Sequence, residues 1–288
     1  MDLEHYRVLI TAIDKKSLTA AAETLDYTVS GISRSIAALE KETGFPLLYR
    51  GKNGVQPTAD CLRLLPSIRE LLFSADRLSQ TISGIRGGEQ GVIGIGTAYR
   101  RYYRWITDVT SKFRELHPGI QFQIFNGTST DFIARLEQHR LDFCLVSKRD
   151  GAHIWYPLVN DPLLALIPKD HPLASMKEIP IEAFCREPYI ETCPGLDIDS
   201  ARFFETRGIR PNTQFTTMDV QATYSMVEAG LGISVNNRIN CMPGYPDVLH
   251  LPLHPAQDVE IGLACAKIRS PAAESFLIFI KDQLPKGP

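Results

Sequence analysis

The chain has 288 residues, 44% of them hydrophobic, and a formal net charge of −2. That is enough chain for two or three compact units of ordinary globular composition, and too balanced a charge to announce a nucleic-acid partner by itself. The opening stretch MDLEHYRVLITAID lacks the basic start, continuous apolar core and small-residue cleavage site of a secretory signal. No apolar run approaches the roughly 20 residues that span a bilayer, so a cytoplasmic protein with no membrane partner is expected. The six cysteines (Cys61, Cys144, Cys185, Cys193, Cys241, Cys265) stand singly, with neither CxxC pairs nor histidines at zinc spacing, so free thiols and no cofactor are expected. Neither HExxH nor GxSxG occurs and the carboxylates are dispersed, which argues against an enzyme.

In chain order, Leu3, Tyr6, Leu9, Ile10 and Ile13 recur at helical spacing, giving a first helix one apolar face. Ser17 is a good N-cap for LTAAAETL, whose alanines let another helix approach closely. Asp26-Tyr27 makes a brief turn, and Thr28 caps VSGISRSIAALEKETG. There Val29, Ile32, Ile36 and Leu39 share one face, Ser30, Ser33 and Arg34 lie on or near the opposite one, and Gly44 ends the segment. Two helices joined by a short turn, the second with small polar residues and an arginine near its start, suit insertion into a DNA major groove. A structural three-helix bundle with a solvated polar face fits that spacing equally.

The stretch SLTAAAETLDYTVSGISRSIAALEKETGFPLLYR closely resembles the signature of LysR-type transcriptional regulators. Ala21-Ala22, Leu25, Ser33, Ile36, Leu39, Glu40, Gly44, Leu47, Leu48 and Arg50 stand in its places. The resemblance implies a winged helix-turn-helix over residues 1–58. Its DNA contacts would come from Ser17, Thr28, Val29, Ser30, Ser33 and Arg34, with Arg50 and Lys52 from a wing turning at Asn53-Gly54. The chain departs from the family at Val29-Ser30, commonly a glutamine followed by proline or a small residue, and at Ala59-Asp60-Cys61, where Ala-Gly is usual after the wing threonine.

From Cys61 an apolar seam runs through Leu64, Ile68, Leu71, Ala75, Leu78, Ile82 and Ile85 in steps of three and four. Such a seam suits a coiled coil or a long packed helix over 59–88, with a bend or late start expected at Pro66. By the resemblance this is the dimerising linker helix, and the operator is an interrupted inverted repeat.

Next, GVIGIGTA, IQFQIFNG and DFCLVS read as strands alternating with two amphipathic helices, the pattern of a parallel sheet. Ligands of such sheets sit beyond the carboxyl ends of the strands, which carry Thr97, Ala98, Tyr99 and Arg100, then Gly127, Thr128 and Ser129, then Ser147. Hydroxyls and helix amides there favour an anionic ligand, and the run YRRYYRW predicts attraction by Arg100 or Arg101 and stacking on Tyr99 or Tyr103. Gly91, Gly94 and Gly96 are out of order for a dinucleotide fingerprint.

His171-Pro172-Leu173-Ala174 and Ala229-Gly230-Leu231-Gly232-Ile233 again resemble the LysR family. They imply a two-lobed α/β effector domain of the type 2 periplasmic-binding-protein kind over 89–288. Lobe I would cover about 91–161 and 267–288, and lobe II about 162–266, with the effector between them. Thr192, Cys193, Pro194 and Met218 would face it from lobe II. The expected partners are double-stranded DNA, a small anionic effector, a second copy in a dimer or tetramer, and RNA polymerase. Two other readings stay open: a redox sensor through Cys193, with Cys185 the only cysteine nearby to pair with it, and a ligand-binding protein with no DNA function.

Overall fold

In the computed structural model, which describes residues 2–51, 54–86 and 90–285, each helix of the N-terminal unit opens on a side chain the sequence supplies for that purpose. Asp2 accepts the Glu4 amide at 2.9 Å to start α1 (Leu3–Lys15). Ser17 accepts the Ala20 amide at 3.2 Å to start α2 (Leu18–Leu25), and Thr28 accepts that of Gly31 at 3.1 Å to start α3 (Val29–Thr43). Ala21 and Ala22 are buried, which lets α2 pack closely, and Ile32, Ile36 and Leu39 turn inward on Leu9 and Ala12. Val29, expected on that apolar face, is 44% exposed in the first turn of α3.

Glu40 explains why a carboxylate closes α3: its Oε1 accepts the amides of Leu47 at 2.8 Å and Leu48 at 3.3 Å, fixing the start of the wing. Strands β1 (Leu48–Gly51) and β2 (Gly54–Pro57) pair antiparallel from Leu48↔Pro57 to Gly51↔Gly54. Gly54 therefore opens the second strand, where the sequence put it in the turn. Asn53 and the expected DNA contact Lys52 lie outside the described residues.

Helix α4 (Ala59–Ile85) begins on the Thr58 cap and carries Pro66 in its interior, so the late start expected there does not occur. Its apolar seam divides. Cys61 and Ile68, joined by Leu72, are buried in the winged-helix core, and Arg69 holds Asp14 of α1 at 2.9 Å while Arg7 pairs with Asp76. Beyond them Leu78, Ile82 and Ile85 are 62%, 42% and 82% exposed. The first half of the seam thus buttresses its own domain, and only the second half is left open.

The chain packs as two units, 1–88 and 89–288. In the second, β3 (Gly91–Thr97), α5 (Tyr103–Leu116), β4 (Ile120–Asn126), α6 (Ser129–Glu137) and β5 (Phe143–Ser147) build the expected parallel sheet, with β3 between β4 and β5. Gly96 has a packing role, since a Cβ there would meet the Phe132 ring of α6 at 2.6 Å. The 16-residue β6 (His153–Pro168) then runs antiparallel into the second lobe.

That lobe adds β7 (Ile179–Pro180), β8 (Tyr189–Thr192), α7 (Asp199–Glu205), β9 (Thr213–Thr217), α8 (Val220–Glu228), β10 (Ser234–Asn237) and β11 (Val248–His254). The later part of β6 pairs with β10 and β11 over Leu163–Pro168, around a core that includes Ile167, Phe184, Tyr189 and Phe204. Strand β12 (Asp258–Ala266) returns to the first lobe, pairing with β5 and with β6 from Pro162 back to His153. The return thus begins at Asp258, where the sequence placed it after 266, because Ile261, Leu263 and Cys265 fill the first-lobe core. Helix α9 (Pro271–Ile280) closes that core with Phe276, whose ring lies 5.1 Å edge-on to Phe113 and to Phe122. Such pairs contribute about 0.5–1.5 kcal/mol each beyond burial.

Candidate functional site

The sequence singles out a polar face on α3, and the geometry keeps that face open. Val29, Ser30 and Arg34 are exposed and Ser33 half-buried; the Arg34 Nε donates to the Ser30 carbonyl at 3.4 Å. The Ser17 and Thr28 hydroxyls are engaged as helix caps, so their free offering to a phosphate is the N-terminal backbone of α2 and α3. Arg50 is exposed on β1.

In the second unit a cavity of about 490 Å³ opens between the lobes. Of the expected ligand contacts, Ala98, Tyr99, Arg100, Gly127, Thr128, Ser129, Thr192 and Cys193 line it. Four expected contacts do not. Thr97 is wholly buried, its hydroxyl donating to the Tyr99 carbonyl at 3.0 Å. Ser147 is wholly buried behind Ser129, the two hydroxyls 2.9 Å apart. Pro194 is carried off the lining by a reversal in which Cys193 and Gly195 adopt φ of 53° and 76°. Met218 is 64% exposed between β9 and α8, where its carbonyl accepts the Cys193 thiol at 3.6 Å.

The aromatic expectation is also corrected. Tyr99 is 2% exposed and donates its hydroxyl to Asp199 at 2.6 Å. Burial and the Asp199 charge push its pKa well above the usual range, so it is a fixed wall and hydrogen-bond donor rather than a free stacking platform. Tyr103 packs on the first-lobe core. Arg100 faces Asp219 at 3.7 Å, both side chains exposed.

Sequence reading missed the acidic side of the cavity, Asp197 and Asp199, and the far wall, where Asn236 and Asn237 end β10. Both asparagines bring buried Nδ2 groups to that wall. A signal existed: applying the strand-end rule to SVNN, after Ala-Gly-Leu-Gly, finds the asparagines. Asp199 crosses between lobes. Its side chain is 8% exposed, it accepts from the Ser147 hydroxyl at 2.6 Å, and it lies 3.6 Å from Arg149 Nη2. Asp197 accepts from Thr130 and pairs with Arg202 at 3.3 Å.

Cys193 is half-buried, and burial together with nearby Asp219 raises its pKa, a surrounding that disfavours the reactive thiolate. Cys185 is exposed at the end of a 3₁₀ turn. Among the described residues no group of three potential ligands is placed to hold a metal ion, and no helix is long and apolar enough to cross a membrane.

Comparison with known proteins accords with this layout. The family model described as a bacterial regulatory helix-turn-helix protein of the lysR family matches residues 3–62, and the LysR substrate binding domain matches 86–285. The HTH-type regulator YybE of Bacillus subtilis is 27% identical over 97% of this chain and 98% of its own. AlsR of the same organism is 27% identical over 81% and 80%. The fold is similar to that of full-length OxyR C199D from Pseudomonas aeruginosa (TM-score 0.70, 18% identity, 98% and 94% of the two chains). It is also similar to CbnR solved with its target DNA (TM-score 0.59, 18% identity, 98% and 99%). The chain belongs to the LysR family of DNA-binding transcriptional regulators and carries that family's C-terminal effector-binding domain.

Proposed function

We propose that the protein works as a dimer or tetramer that sets two copies of α3 in successive major grooves of an interrupted inverted repeat, its promoter binding governed by a small anionic effector in the cleft between the C-terminal lobes. The observation that carries this reading is the open N-terminal face of α3, where Val29, Ser30 and Arg34 are exposed while the opposite face is buried. Arg34 suits a base edge or phosphate, and Arg50 suits the phosphates beside the wing. The exposed stretch of α4 from Leu78 to Ile85 suits pairing with a second copy.

Support for the effector half comes from the cavity, whose first-lobe wall offers the N-terminal amides of the nine-residue α6, and whose mouth carries Arg100 and Arg101. Effector binding would bias an existing equilibrium of lobe angles and thereby the presentation of the DNA-binding domains, with RNA polymerase the downstream partner. The test is a thermal-shift screen of small organic acids on the full chain, repeated on Ala98→Leu, which fills the cavity. The expected result is a saturable shift that Ala98→Leu abolishes and that accompanies changed promoter affinity. A hit whose shift survives the substitution would place the ligand elsewhere.

A further inference from the structure

Three first-lobe donors beside the cavity already hold a carboxylate. Tyr99, Ser147 and Arg149 all belong to the first lobe, and all three converge on Asp199 of the second. The Tyr99 and Ser147 hydroxyls donate to different oxygens of that carboxylate, each at 2.6 Å, so the group is gripped at both ends. Ser129, on the cavity wall, stands beside Ser147, the two hydroxyls 2.9 Å apart, and accepts the Ser147 amide at 3.1 Å, which fixes the geometry of the receiving hydroxyl. The Arg149 side chain is 10% exposed; its Nη1 donates to the Ser147 hydroxyl at 2.8 Å, while its buried Nη2 has no hydrogen-bond acceptor and lies 3.6 Å from Asp199. Asp199 itself lines the cavity, so a ligand lying there abuts this cluster.

We propose that Tyr99, Ser147 and Arg149 form a carboxylate receptor which the chain occupies with its own Asp199, holding the lobes together, and that an effector's carboxylate binds by displacing it. This rests on the anionic-effector reading and names how that effector would be read. The competition follows from proton counting. Each hydroxyl has one proton to donate, so two carboxylates cannot both take the Tyr99 and Ser147 hydrogen bonds, and two anions in one largely desolvated pocket repel. Arg149 supplies one positive charge, already shared between Asp199 and, at 4.0 Å from its Nε, Asp197, so a further carboxylate would go uncompensated. Displacement would free the start of α7 from the first lobe, so that chemical recognition and lobe movement become one event.

The test is rescue by acetate, which needs no knowledge of the natural effector. Full-length wild type and Asp199→Ala are titrated with sodium acetate against sodium chloride at matched ionic strength, with binding followed by calorimetry and by the unfolding midpoint. The expected result is saturable acetate binding by Asp199→Ala at least about tenfold tighter than by wild type, lost again in Asp199→Ala with Ser147→Ala. The near-isosteric Asp199→Asn keeps the packing and removes the charge, so it should also bind acetate more tightly than wild type does. Acetate affinity equal to that of wild type in both folded single variants would overturn the proposal, as would binding by Asp199→Ala that survives loss of Ser147. A regulator whose effector proved to be uncharged would still show the rescue, so failure of the effector screen and failure of the receptor are separate results.

Discussion

At Gly54 a methyl group would stand 2.2 Å from the Lys16 carbonyl oxygen, on a backbone of φ +93° that other residues rarely adopt. That carbonyl also accepts the Val55 amide at 3.1 Å, so it cannot retreat without breaking the tie between wing and helices. Gly54→Ala should therefore lower the stability of the N-terminal unit by about 1–3 kcal/mol, measured by chemical denaturation; a neutral result would mean the wing is not tied to α1 in this way. In the other unit Asp142 sits between α6 and β5, and burial pushes its carboxyl up to about 6 despite the Gly94 amide donating to it at 2.8 Å. A carboxyl whose folded pKa lies above its unfolded value favours the folded state at low pH. That advantage is complete below about 4 and lost as pH rises through about 6. Asp142→Asn keeps an acceptor for Gly94 without the charge, so it should stabilise the effector domain at pH 7.5 by about 2 kcal/mol and leave it unchanged near pH 4. A gain that did not vary with pH would contradict the titration account.

Among the elements, α4 shows most plainly what a repeat in sequence does and does not specify. Cys61, Ile68, Leu78 and Ile82 belong to one seam of alternating steps of three and four, yet the first two are buried in their own domain and the last two stand exposed. Periodicity defines a stripe, and only the presence of α1 beside its first half decides what covers it. A double substitution, Leu78→Asp with Ile82→Asp, should leave the helical content of the monomer intact while weakening self-association. Burial of each side chain contributes about 1.5–3 kcal/mol, so dissociation by sedimentation should rise at least about tenfold. Unchanged association would move the dimer interface away from this helix. The caps at Ser17 and Thr28 and the three parallel strands were legible because their signals are local. Asp199 was not, since what makes it important is contact with Tyr99 and Ser147, 100 and 52 positions away in the chain. Likewise Thr97 and Ser147 were correctly placed at strand ends but turn out to be buried behind the wall they support.

For the whole molecule, near-neutral charge means that, on the proposed reading, recognition falls to a few placed side chains on α3 and the wing, so affinity should depend on position and on salt together. On the proposed reading the effector domain would add a second input through a cavity lined in part by the inter-lobe carboxylate Asp199. The most direct test of the central claim is an anisotropy titration of the full-length protein against the DNA upstream of its own coding region and a scrambled fragment, at several salt concentrations, with Arg34→Ala in parallel. The expected result is selective binding that weakens steeply with salt, and an Arg34→Ala loss of about 1–3 kcal/mol confined to the specific fragment. Equal affinity for both fragments, insensitive to salt and to Arg34→Ala, would contradict the assignment of α3 as the DNA-reading helix.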